Sequence, residues 1–216
     1  MDSTSYEIRG DESELRSNVY GFLSTVFAQE ISKDFLDMML NPEMKEVLTN
    51  MGIEWHVSDD KKETDQLLEE LAVEYARLFL GPGHHLSPHE SVYHFKEDND
   101  AGQLWGDSAL AVQKAIALEG LTINSESKKI PDHISIELEF MQQLANSEHA
   151  AWLKGDQQSA LHFKDIQQTF INKHLACWVP EFCDRIMKDS SINFYKKIAL
   201  LTKSFISIEQ TIMEQT

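Results

Sequence analysis

Apolar residues recur at three- and four-residue spacing along most of the chain, and that period predicts helices. Residues 11–28 put Leu15, Val19, Phe22, Leu23, Val26 and Phe27 on one face. A second helix, 32–40, stops at Asn41-Pro42, since the residue before proline avoids helical geometry. Pro42 can open a third, carrying Met44, Val47, Leu48 and Met51. Residues 64–80 carry the stripe Leu67, Leu68, Leu71, Tyr75, Leu78 and Phe79, and Gly81 is suited to a left-handed cap at its end. The pattern resumes over 102–119, with Leu104, Trp105, Ala109, Val112 and Ile116 inward and Gly120 as the stop. Pro131 then starts a helix with Ile134, Leu138, Met141 and Leu144 inside, and with Asp132 and Glu137 early in it, where negative charge suits the helix dipole. Residues 156–175 bury Phe163, Ile166, Phe170 and Ile171. Trp178-Val179-Pro180 predicts a break before a shorter helix through Phe182, Ile186 and Met187. A last helix starts near Ser191, with Ile198, Leu201, Phe205, Ile208 and Ile212 as its stripe.

Three stretches lack this period. Residues 52–62 and 121–130 are polar connections. Residues 84–101 contain prolines, His84, His85, His89 and His94, and the aromatics Tyr93 and Phe95. A loop of that length in a compact domain is usually functional or disordered, and its aromatic content argues for order. No segment alternates every two residues. The expectation is an all-α fold: one globular domain over residues 1–216, with eight or nine helices and a hinge near 121–131.

Composition narrows the partners. The net charge of −17 disfavours nucleic acid and anionic membranes, because both are held through Lys and Arg, and it suits a basic partner. There is no basic and apolar leader at the N-terminus and no apolar run approaching a membrane span, so a cytoplasmic protein is expected. Cys177 and Cys183 lack metal-ligand spacing and read as core filler in a reducing compartment.

Candidate chemistry is thin. A metal-dependent hydrolase would draw on His84, His85, His89 and His133, but zinc sites want set spacings with acidic or thiolate partners, and Pro88 interrupts this run. Asp132 beside His133 hints at a general base, against a local pairing of His133 with Glu137. Glu90-Ser91-Val92-Tyr93 lacks the glycine-flanked elbow of a serine hydrolase. The glycines form no phosphate loop. The residues alone describe a helical binding module with no catalytic site, metal or cofactor.

Five motifs in order carry more than their spacing. They are 74–83 (Glu-Tyr-Ala-Arg-Leu-Phe-Leu-Gly-Pro-Gly), 88–93 (Pro-His-Glu-Ser-Val-Tyr) and 104–108 (Leu-Trp-Gly-Asp-Ser), then Pro131-Asp132-His133-Ile134 with 137–141 (Glu-Leu-Glu-Phe-Met), and His174-Leu175 with Trp178-Val179-Pro180. Over nearly the whole chain they resemble the TorD/DmsD family, which includes relatives of NarJ. The resemblance implies an all-α, non-enzymatic cytoplasmic chaperone, monomeric or homodimeric. Such a chaperone binds the twin-arginine signal peptide of a molybdenum-cofactor enzyme, holds the apo form until cofactor is loaded, and prevents premature export. Its peptide-binding region matches Leu78, Phe79, Pro88, His89, Ser91, Tyr93, Trp105, Asp132 and His133. Two departures stand out. Lys129 and Ile130 occupy the first places of the family's Glu-Pro-x-Asp-His, and His89 stands where some relatives have tryptophan.

Overall fold

The computed structural model describes residues 3–50, 52–53, 61–81, 85–93, 104–121 and 130–214. Met51, His84, His94, Phe95, most of the 52–62 connection and most of the 121–131 hinge lie outside them. The described residues form α1 (Ser3–Ala28), α2 (Lys33–Leu40), α3 (Pro42–Asn50), α4 (Lys61–Tyr75), α5 (Asp107–Leu118), α6 (Ile134–Leu153), α7 (Gln157–Phe170), α8 (Ala176–Asp189) and α9 (Asn193–Glu214). A π turn, Ala76–Leu80, prolongs α4, and a second, Ile171–Leu175, joins α7 to α8. Among these residues there is no sheet, so the all-α expectation holds. The chain divides into two compact units: Met1–Ala28 with Pro88–Pro180 and Phe205–Thr216, and Gln29–Ser87 with Glu181–Ser204.

The first unit is organised by α6. Ile134, Ile136, Leu138, Phe140, Met141, Leu144 and Ala145 are all buried, which takes in every side of the helix. A helix whose first turns bury residues on every side belongs at the centre of a core. Along it lies α1, and small residues explain the fit. Ser13, Ser17, Gly21 and Ser24 recur three or four apart. Ser17 Oγ donates to Asn146 Oδ1 at 2.7 Å and Ser24 Oγ donates to the Ser135 carbonyl at 2.8 Å. A Cβ at Gly21 would meet the side-chain amide of Gln142. This small, partly polar stripe shares the buried face with Tyr20 and with Leu23, Val26 and Phe27 of the expected stripe, and Leu15, also expected inside, is 63% exposed. The helix also begins at Ser3, a full two turns before the apolar pattern does.

Buried polar residues displaced other expectations. Arg16 lies 2.6 Å from Glu148 Oε2 and 3.7 Å from Glu209 Oε2, and Tyr20 donates to Glu209 at 3.1 Å. Inside a core such charges must be paired and hydrogen-bonded, as these are. Glu209 therefore faces inward with Ile206 and Met213, and Ile208 and Ile212 of the predicted stripe face outward. Leu104 and Trp105 are likewise exposed. Cys183 is buried, and burial pushes its thiol well above the ordinary value, but Cys177 is exposed and is no core filler. Gly81 is extended (φ −66°, ψ 151°) rather than left-handed, because Pro82 follows it. Pro180 lies within α8, and the irregularity falls one turn earlier, in the π turn Ile171–Leu175.

In the second unit, Leu71, Tyr75, Leu78 and Phe79 are buried as their spacing predicts. Phe79 meets Tyr75, Phe182 and Tyr195 at ring distances of 5.0, 6.0 and 6.1 Å. One carboxylate ties α4 to the turn before α9. Glu74 accepts from the Ser190 and Ser191 hydroxyls, from the Ser191 N–H and from Arg77. Burial pushes its pKa up, but these donors outweigh burial and hold it at about 2. The folded-state pKa is below the unfolded one, so this contribution is present above the ordinary carboxylate range and is lost as pH falls through it toward 2. Glu74→Gln should therefore lower the unfolding free energy by about 2 kcal/mol at neutral pH. In urea titrations its deficit against the native sequence should shrink as the buffer is acidified.

Candidate functional site

Proline, glutamate and serine without helical period leave residues 88–93 free to pair elsewhere, and they pair with the start of α6. His89 and His133 form an antiparallel bridge. The Ile134 N–H donates to the Pro88 carbonyl at 2.9 Å, and the Glu90 N–H donates to the Asp132 carbonyl at 3.0 Å. The Asp132 carboxylate accepts from the Ser91 N–H at 2.9 Å. A single 3-10 turn, Glu90–Val92, closes with the Tyr93 N–H donating to the Glu90 carbonyl at 2.8 Å. Asp132 thus fastens the segment twice, through its main chain and its side chain.

His133 does a cap's work. Helix starts leave backbone N–H groups unpaired, usually satisfied by Ser, Thr, Asp or Asn. Here His133 Nδ1 accepts from the Ser135 N–H at 3.1 Å. Ser135 Oγ is 2.8 Å from the same nitrogen, a pairing that in a cleft would suggest nucleophile and base. Both residues are buried and the nitrogen already serves the cap, so the pair is structural. The helix begins one residue past His133, not at Pro131, and Asp132 is outside its first turn.

Beneath the segment lie three carboxyls. Glu90, Asp132 and Glu137 are each almost wholly buried. His174 Nδ1 is 2.8 Å from Glu90, and Trp178 Nε1 donates to Glu137 at 3.1 Å. Tyr93 packs on Trp178 with ring centres 5.3 Å apart, and Phe170 stacks on His174 at 4.6 Å. Buried carboxyls this close raise one another's cost of ionising. Burial, then the charge of Glu90, push the Glu137 pKa well above the ordinary value, with Asp132 and a hydrogen bond to Glu90 adding to this and the Trp178 hydrogen bond opposing it.

The structure therefore brings together Pro88, His89, Ser91, Tyr93, Asp132 and His133 of the expected site, all in the first unit. Leu78 and Phe79 are buried in the core of the second unit. Trp105, preceding α5 in the first unit, is 59% exposed and holds φ at +68°, a region a bulky residue rarely adopts. Glu90, Glu137, His174 and Trp178 complete the cluster, and the sequence reading placed none of them in the site although each stands in one of the five motifs. Among the described residues, no group of three or more His, Cys, Asp and Glu is placed to hold a metal ion, and His85 is exposed. No helix among them is long and apolar enough to cross a membrane.

Residues 33–184 match the family described as nitrate reductase delta subunit. Similar curated proteins are named chaperone protein TorD. The one from Vibrio cholerae serotype O1 is 27% identical, over 94% of this chain and 94% of its own length. Those from Vibrio atlanticus (26%; 91% and 94%) and Shewanella oneidensis (27%; 95% and 94%) are alike to a similar degree.

Glu137 gives a test of the buried cluster. An acid whose folded pKa is raised adds stability that is complete below its unfolded value and declines as pH rises toward the folded one. Glu137→Gln keeps the shape and a donor without the titration. The variant should gain relative to the native sequence between pH 5.5 and 8, by up to about 1.4 kcal/mol per pH unit, as read by denaturant unfolding at both pH values.

Proposed function

The chain belongs to the nitrate reductase delta subunit family, and we propose that it is a cytoplasmic redox-enzyme maturation chaperone that binds the twin-arginine signal peptide of a molybdenum-cofactor enzyme. It holds the apo form while cofactor is loaded and so delays export. It carries out no reaction of its own. The observation that carries this reading is the agreement between chain-length similarity to proteins named as chaperones and the segment 88–93, which is fastened to the start of α6 by residues of the same motifs.

Two kinds of residue follow from the geometry. Trp105 offers a large exposed aromatic face on a strained backbone, and strain of that kind concentrates at binding sites. It is the contact residue. Asp132 and His133 are positioning residues: one fastens the segment and the other caps α6. The net charge of −17 favours the basic end of such a leader. A peptide that orders on binding loses entropy, so the affinity should be moderate.

The test is fluorescence anisotropy with labelled leaders of the host cell's molybdoenzymes: reductases for trimethylamine oxide, dimethyl sulfoxide and nitrate, and formate dehydrogenase. One leader should bind. Trp105→Ala should weaken it by about tenfold with unfolding unchanged. Asp132→Ala with His133→Ala should weaken it too, with lowered stability. Binding of no leader would contradict the function; full affinity in both variants would contradict the residues.

A further inference from the structure

Helix α5 has two apolar faces. Ala109, Val112 and Ile116 point into the core of the first unit. On the other side, Ala111, Ala115 and Leu118 line an open cleft of about 400 Å³ whose far wall is Ile166 and Phe170 of α7. Leu118 is 73% exposed there. Apolar side chains recurring every three or four residues and facing a second apolar wall form a groove of the kind an added helix occupies, through anchors at the same spacing.

The charges around the cleft are sorted by sign. Its lining couples the end of α5 to the first half of α7, where Glu119 lies 3.8 Å from His162. The two helices therefore run antiparallel along it. Glu119 and Asp165 stand at that end, Lys173 and His174 toward the end of α7, and Lys114 midway along α5. An acidic end attracts both basic side chains and the positive N-terminal end of a helix, and lysines attract a helix's negative C-terminal end. Only one orientation satisfies both.

We propose that this α5–α7 cleft seats the apolar stretch of the client leader as a short helix, its basic residues at Glu119 and Asp165 and its C-terminal end at Lys173. The assignment rests on the function proposed above and adds the seat and the direction. It also supplies a link to the buried cluster. His174 lines the cleft and its Nδ1 lies 2.8 Å from Glu90 Oε2, so an occupant reaches the segment 88–93 through one side chain.

The experiment uses the full chain and the tightest-binding labelled leader. Ala111→Gln with Leu118→Gln alters two exposed wall positions, and binding should weaken by about tenfold or more without loss of stability. Glu119→Lys with Asp165→Lys should weaken it similarly, and a leader whose arginines are replaced by glutamate should recover binding to that variant alone. Affinity within about twofold of the native value in the wall variant, while Trp105→Ala loses binding, would overturn the cleft and leave the function standing. Failure of every leader to bind the native chain would overturn both. A wall variant that changes only the sedimentation of the free protein would show a second copy of the chain in the cleft and overturn the seat.

Discussion

Three carboxyl groups buried around the start of α6 are the constraint on which the first unit depends. Each removes a polar group from water, and each is compensated by a different element. Asp132 is compensated by the backbone of the segment 88–93, Glu90 by His174, and Glu137 by Trp178. The same bonds thus stabilise the cluster and give an otherwise aperiodic segment one conformation. The residues between Pro88 and Tyr93 contain too little apolar surface to order themselves. They are ordered because the start of α6 needs partners for its own polar groups.

This arrangement sorts the motif residues by task. Asp132 and His133 look in sequence like an acid–base pair, yet one fastens a segment and the other caps a helix. Groups occupied in that way are poor catalysts and good scaffolding. What the scaffold presents is outside it, at Trp105 and along the outer face of α5. On the proposed function that division is useful. A chaperone needs an adaptable apolar surface for its client and a rigid support that does not rearrange when the client leaves.

Helical period made most of the architecture legible. The bounds of α2, the start of α3 at Pro42, the length from α7 through its π turn, and the buried residues Leu71, Tyr75, Leu78 and Phe79 could all be read from residue spacing. Legibility failed where buried residues are small or polar. The stripe Ser13-Ser17-Gly21-Ser24 hides the true face of α1, and Thr202 and Glu209 shift the inward register of α9, because pattern reading takes serine, threonine and glutamate as surface. Trp105 failed in the opposite sense, since an aromatic on a helical pattern is normally core. For the candidate site, the motifs located the segment and the helix start. That His174 and Trp178 lie beside them could not be read from spacing, because the contacts join residues 84 and 41 positions apart.

The most direct test of the central claim, that this chain recognises the leader of a molybdoenzyme before export, is co-purification from the native cell with mass spectrometry of what is retained. The account predicts one apo-molybdoenzyme with its twin-arginine leader intact, lost from the complex when that leader is deleted from its gene. Retention of the leaderless enzyme in equal amount would contradict it.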